Sequence, residues 1–375
     1  MTSHRRIGSI LSAIAAAVAL GAGAAPSRAE DLNALIAATM RDTAVPAMGV
    51  VVIRDGVVAG ETVRGVRRND GADPVTLEDD WHVGSDGKPM TATLVARLVD
   101  KGVLSWSTPL DKMLPDLAGA MHPEYRKVTL LQLLSHHAGL PENIMDEKAL
   151  AAMLAPAPGT PLPARRLTYV ARALKDPPIG PTSAFSYSNT GVLIAGVIAE
   201  RSTGAPFEAL IRREVFAPLG MTHVGFGLPP AGQPIGHMAG KPAAPADENP
   251  DFLAPDGNMY MPLDEWALFC LDQLAGAKGK GRLLKPETYR LMQTAQPGGS
   301  GGLGWGVQET IAGRKGPVLI HAGSDGAWYA LVALFPETGG GVLIAANAGP
   351  DMGADKAEKA VMKPILDTLA PPAAP

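Results

Sequence analysis

The spacing of apolar residues changes character twice along this chain. Leu32, Leu35, Ile36 and Met40 recur at helical intervals. Met48 to Arg54 and Val57 to Val66 are then runs rich in β-branched residues, joined by Asp55-Gly56, a short hairpin signal. From Thr91 onward the period is helical again. Thr91 to Lys101 stops at Gly102, a C-cap residue, and Thr129 is placed to cap a helix through Leu134. Thr190 to Arg201, Phe207 to Phe216 and Leu263 to Leu274 predict further helices. Near the other end, Val318 to Ile320, Ala327 to Phe335 and Val342 to Asn347 read as strands, with a Gly-rich turn over Pro336 to Gly341. Lys356 to Leu369 predicts a closing helix, kinked at Pro364.

Strands at both ends with helices between predict an antiparallel sheet built from both termini and a helical insert. The expected division is an α/β sheet domain from residues 30–90 and 296–375, and a mainly helical domain over 91–295. The cleft between them is the natural place for a site. Ala155 to Pro163 and Pro229 to Pro255 are Pro-rich and are expected as loops over or beside that cleft. No internal repeat is visible.

The first residues change the picture of where the protein works. His4-Arg5-Arg6 is a basic start, Ile7 to Leu20 is largely apolar, and Ser27-Arg28-Ala29 offers small residues at a cleavage site. The reading is a signal peptide over 1–29 and a periplasmic or secreted protein. The alternative, a retained membrane anchor, is disfavoured by Gly8, Ser9 and Ser12 within the apolar run. Loss of Arg5, Arg6 and Arg28 with the leader takes the formal charge from −4 to −7, which argues against a nucleic-acid binder. Cys270 is the single cysteine, so neither an intramolecular disulfide nor a Cys-rich metal site is available. Its apolar neighbours predict a buried, inert thiol.

The candidate chemistry begins at Ser85-Asp86-Gly87-Lys88. A serine hydroxyl needs a base to become a nucleophile near neutral pH. Three residues apart on a helix, Ser85 and Lys88 share a face, with Cβ atoms about 5–6 Å apart. A lysine desolvated in a pocket can accept a proton, and a helix N-terminus favours negative charge beside the serine. The alternative is that Ser85 caps the helix and Lys88 is solvated. Gly87 and Pro89 weaken the first turn, so the Ser85–Lys88 geometry is expected to be looser than a regular helix gives.

Two more triplets follow, Tyr187-Ser188-Asn189 and His321-Ala322-Gly323. An S-x-x-K motif, a polar triplet and a K-T-G-like triplet in this order resemble the serine β-lactamases and penicillin-binding-protein-like enzymes. Leu133 to Pro141 and Val215 to Met221 are similar to signatures of the class C-related branch of esterases and D-peptidases. The resemblance spans almost the whole chain after the leader. It implies a mixed α/β sheet domain plus an all-α domain, with the site at their interface. It implies a catalytic set of Ser85, Lys88 and Tyr187, with Tyr187 assisting proton transfer to the leaving group. Asn189 would hydrogen-bond substrate and Lys88, with Ser188 as a spacer. His321 stands at the K-T-G lysine position, Gly323 lets substrate approach the strand, and the Ser324 N–H joins that of Ser85 as an oxyanion hole. The reference pKa of histidine, about 6.5, predicts a mostly neutral His321 that gains charge as pH falls towards 6.

Other constellations fail on context. Gly298 to Gly302 formally contains G-x-S-x-G around Ser300, but without the strand and helix that motif requires. His136-His137 has no accompanying carboxylate pattern and is read as a packed loop. Asp256 to Met259 is either cleft lining or a plain turn. No metal or other cofactor is expected, and the expected partner is a small-molecule or peptide substrate, with oligomeric state open. Two function classes remain: a secreted serine hydrolase acting on an ester or amide, or a non-catalytic binding or sensing domain. Within the first, a small ester or D-amino-acid-containing peptide leads, with weak β-lactamase or DD-peptidase activity as the alternative.

Overall fold

The computed structural model describes residues 29–155 and 157–373. Residues 1–28, which carry most of the expected leader, lie outside it. The centre is a six-stranded antiparallel sheet of β1 (Ala47–Arg54), β2 (Val57–Gly65), β3 (Gly306–Ile311), β4 (Arg314–Ser324), β5 (Tyr329–Phe335) and β6 (Gly340–Ala346). The strand order is β2-β1-β6-β5-β4-β3, so the two chain ends meet at β1 and β6, with Met48 opposite Ala346. Asp55 and Gly56 both take left-handed φ values, 51° and 76°, as a tight hairpin turn requires.

Alternation along the strands sorts two cores. Met48, Val50 and Val52 face α1 (Ala29–Met40) and the C-terminal helix, α5 (Ala354–Leu366), through Leu32, Ile36, Val361 and Ile365. Ala47, Val51 and Ile53 face the other way, into a larger core with Trp266 and Phe269 of α4 (Leu263–Ala277). With both faces covered, the strands read as near-continuous apolar runs. Each such side chain taken out of water contributes about 1.5–3 kcal/mol. The larger core also holds α2 (Lys88–Asp100) and α3 (Asn189–Thr203), which come from the chain between the two sheet halves.

Local rules account for most boundaries. Thr129 and Gln132 form a reciprocal capping box on Leu130–Leu134. Gly204 closes α3 in a left-handed conformation. The segment read as one helix over Phe207 to Phe216 is instead α-helical over Phe207–Ile211 and a π-turn over Arg212–Phe216. β3 escaped sequence reading because its GVQETI pattern is that of a half-exposed edge strand without a continuous apolar run. A small sheet of Trp81–His82, Gly225–Phe226 and Met259–Met261 ties the insert to the segment just before Ser85. No helix among the described residues is long and apolar enough to cross a membrane.

Candidate active site

The region of Ser85 is a compromise between a glycine-rich turn and a helix. Gly84–Gly87 form a 3-10 turn, and α2 begins at Lys88 with Pro89 in its first turn. A proline there surrenders only an N–H that has no intrahelical partner. The expected loosening therefore does not occur: Lys88 Nζ donates to Ser85 Oγ at 2.8 Å. Lys88 is fully buried, and its second hydrogen bond goes to the backbone carbonyl of Asp256. Asp256 and Gly257 line the cavity over Ser85, which resolves that segment as cleft wall.

The end of β4 runs against this turn. Gly84 has φ 52°, and a Cβ there would lie 2.5 Å from the Ser324 nitrogen. At position 323 a Cβ would collide with the Val83 carbonyl and lie 2.7 Å from the Ser85 nitrogen. Both positions demand glycine. Gly323 was legible as part of a triplet, whereas Gly84 was missed, because a close backbone approach leaves no local pattern. Behind the turn, His82 Nε2 pairs with Asn258 Oδ1 at 2.8 Å, and its Nδ1 accepts from the Gly84 N–H at 3.3 Å.

Tyr187 lies beside the lysine. Lys88 Nζ is 5.2 Å from its ring centroid, and the His136 and His321 rings lie at 4.7 and 6.3 Å. His136 Nδ1 accepts from the Ser188 N–H at 3.1 Å, and Ser188 Oγ caps α3 by accepting from Gly191 N–H at 3.0 Å. Ser188 is therefore the helix cap, not a spacer. His137 Nδ1 pairs with Ser135 Oγ and its ring packs on Phe185, so His136 serves packing beside the tyrosine and His137 packing of the loop. Asn189 is placed differently from expectation. Its Nδ2 donates to Asn143 Oδ1 at 3.2 Å, its Oδ1 is buried without a partner, and it makes no hydrogen bond to Lys88. Asn143 was not found from sequence.

His321 is buried where water-facing exposure would have left it titratable. Burial, reinforced by the neighbouring Lys88 charge, lowers its pKa to about 3. The expected gain of charge near pH 6 is thereby corrected: the ring is neutral across the working range. Its Nδ1 is directed to the Ala322 carbonyl at 3.1 Å, with Asp86 Oδ1 at 3.8 Å. Burial pushes the Asp86 carboxyl well above the usual range, against the opposing pull of Lys88, and neither of its side-chain oxygens has a hydrogen-bond partner. Ser324 Oγ donates to the Trp328 carbonyl at 2.7 Å, so its hydroxyl is occupied. Ser300 lies in a loop whose glycines pack on Phe185 and His137, and it is not part of the cavity wall at Ser85. Cys270 is buried and its thiol is pushed well up by burial.

Above Ser85 opens a cavity of about 950 Å³. Asn143, Asn189, Ser324 and Asp325 are in its wall, and so are both Pro-rich loops.

The comparisons with known proteins bear on family and fold. The family profile described as Beta-lactamase matches residues 32–366. A curated relative, Penicillin-binding protein 4 of Amycolatopsis lactamdurans, is 28% identical over 81% of this chain and 81% of its own length. Esterase EstB of Burkholderia gladioli is 28% identical over 54% of this chain, and a β-lactamase of Pseudomonas fluorescens 28% over 51%. In those two the match spans 52% and 48% of their length. Among solved structures, the octameric penicillin-binding protein homologue from Pyrococcus abyssi superimposes with a TM-score of 0.72 at 23% identity, over 91% of this chain and 79% of that one. SurE with D-Leu gives 0.72 at 24%, over 92% and 77%. At such identities these two speak for the fold.

Proposed function

The chain belongs to the β-lactamase family, a hydrolase family of penicillin-binding-protein, esterase and β-lactamase type, and on that premise we propose that it is an exported serine hydrolase working through an acyl-enzyme on Ser85. The observation that carries the reading is the 2.8 Å contact between Lys88 Nζ and Ser85 Oγ at the floor of a large cavity. Lys88 Nζ takes the hydroxyl proton as Ser85 Oγ bonds to the substrate carbonyl carbon. The developing oxyanion is held by the Ser85 and Ser324 N–H groups, each such donor contributing a factor of about 10²–10³. Tyr187 and Lys88 return the proton to the leaving alcohol or amine. Water then enters by the same route in reverse, releasing the acid and restoring Ser85.

The preferred substrate in this reading is a small ester or a D-amino-acid-containing amide. A neutral His321 lacks the permanent charge that a lysine there would offer a substrate carboxylate, and charge-assisted bonds are roughly twice as strong as neutral ones. Export rests on the basic, apolar and small-residue order of residues 1–29. The test is covalent labelling by a fluorophosphonate, combined with turnover of p-nitrophenyl esters, nitrocefin and D-Ala amides. Multiple turnover on an ester with nitrocefin slow supports the reading, whereas stoichiometric acylation without turnover makes the chain a binding or sensing domain. Nitrocefin turnover matching the best ester would overturn the substrate preference.

A further inference from the structure

The peptide that joins Gly84 to Ser85 is enclosed from three sides. On one side runs β4, where the Ser324 nitrogen and Gly323 leave no room for a Cβ at position 84. On another lies Gly257, where a Cβ would stand 2.9 Å from the Gly84 carbonyl oxygen and 3.0 Å from the Ser85 nitrogen. The third contact is polar. The N–H groups of Gly84 and Ser85 open the 3-10 turn, so neither has a carbonyl of that turn to bond. His82 Nδ1 takes the first at 3.3 Å, which leaves the second for a substrate.

The chain of partners behind His82 has only one consistent set of donors and acceptors. The carbonyl of Asn249, a residue of the cavity wall, can only accept, so the Asn258 atom facing it at 2.9 Å is Nδ2. Asn258 Oδ1 then faces His82 Nε2 at 2.8 Å, and only an Nε2 carrying hydrogen can bond it. In the neutral imidazole this makes Nδ1 the acceptor, which is what the Gly84 N–H requires. Asp325 Oδ2 stands 3.7 Å from Nδ1, outside hydrogen-bond distance. Both His82 and Asn258 are buried, and strand pairing of Trp81–His82 with Tyr260–Met261 holds them in this register.

Resting on the serine-hydrolase reading above, we infer that His82 and Asn258 are positioning residues for the Ser85 N–H. Asn258 sets the His82 tautomer, and His82 holds the Gly84 N–H. The Gly84–Ser85 peptide is thereby fixed with its own N–H turned to the oxyanion. Neither side chain lines the cavity, so their effect falls on the transition state and not on ground-state binding.

The experiment uses amide side chains as partial mimics of the ring. His82→Asn keeps an acceptor near the Nδ1 position, whereas His82→Gln keeps a donor near the Nε2 position. On p-nitrophenyl acetate, His82→Gln should lower kcat/KM at least about tenfold with KM little changed, a part of the factor of about 10²–10³ that one oxyanion donor contributes. Phenylboronic acid forms a tetrahedral adduct on a reactive serine, and its inhibition constant should rise in step with that loss. His82→Asn should recover most of the rate. Asn258→Ala, which frees the tautomer, should cost the native enzyme at least about fivefold and the His82→Asn enzyme little. The pH dependence of kcat/KM, a property of the base, should keep its shape throughout. Native kcat/KM in His82→Gln overturns the inference and leaves the hydrolase reading intact, and so does a loss confined to KM with boronate inhibition unchanged. Equal losses from Asn258→Ala in both backgrounds do the same, and that comparison decides alone if His82→Gln does not fold. Absence of turnover and of boronate inhibition in the unmodified enzyme overturns both readings.

Discussion

Gly323 lies against the peptide of Ser85, so close that a methyl group on it would stand 2.7 Å from the Ser85 nitrogen and strike the Val83 carbonyl. The strand end and the nucleophile turn are thus one unit, and the position of the serine is set as much by β4 as by its own helix.

Gly323→Ala therefore forces β4 away from the turn. We expect kcat/KM for a neutral ester to fall by about 10²–10³, the contribution of one oxyanion donor, with far-UV circular dichroism retained. Activity within a few-fold of the native value would separate Gly323 from the oxyanion geometry.

Ser85→Ala should remove acyl-enzyme formation and turnover together, while Ser300→Ala leaves both nearly intact, because Ser85 lines the cavity with Lys88 Nζ 2.8 Å from its Oγ, and Ser300 is not part of that wall. Mass spectrometry of a fluorophosphonate-trapped peptide decides this, and an adduct on Ser300 or Ser324 refutes the assignment.

Lys88→Arg should damage activity nearly as much as Lys88→Ala, since a guanidinium with a pKa above about 12 keeps its charge and cannot take the Ser85 proton. Steady-state kinetics on one ester suffices. Retained rate in the arginine variant would reduce Lys88 to a fixed charge.

The buried imidazole gives a pH signature. The unfolded chain protonates His321 near about 6.5, whereas the folded protein does so only at about 3. Between these values the unfolded state binds the extra proton, so stability present above pH 6.5 is lost as pH falls towards 3, by on the order of a few kcal/mol. In His321→Gln this share of the acid loss should disappear, read from urea unfolding at a series of pH values. An unchanged pH dependence would contradict the buried neutral ring.

Glu358 on α5 is fully buried and neither carboxyl oxygen has a partner, while the Tyr329 hydroxyl close by is likewise unpartnered. Burial first, then the charges of Asp86 and Asp355, push its pKa well above the carboxylate range. The folded state thus holds a proton that the unfolded state releases above about pH 4.3, and stability falls as pH rises past that point. Glu358→Met removes the penalty and should stabilise the protein by about 1–3 kcal/mol, more at pH 8 than at pH 5. Calorimetry at the two pH values tests it, and a lower Tm in both would show that the carboxyl has a role in packing.

What the sequence revealed and what it hid divide along physical lines. Asp55-Gly56, the Thr129 cap and the Gly102 stop are local devices, set by a few adjacent residues, and each is legible as written. Ser85 with Lys88 is legible because helical spacing alone brings them together. Gly84, Asn143 and the Oδ1 of Asn189 depend on segments that meet only in three dimensions. His321 shows the same limit: its identity is readable, but its titration is decided by burial beside Lys88, which no neighbouring residue announces. β3 was missed because an edge strand needs only one protected face.

The pairing of the two chain ends has a consequence for the order in which this protein becomes itself. The Ala47 N–H donates to Asn347 Oδ1 across 300 positions of sequence. A chain emerging from the ribosome completes its β1–β2 hairpin and the turn at Ser85 early, but β1 waits for β6 and the turn waits for β4 before each has its second neighbour. Contacts so distant in sequence make for slow folding. A nascent chain that stops before β4 therefore carries Ser85 and Lys88 without the strand that packs against their turn. The final sixty or so residues thus close both the sheet and the wall behind Ser85.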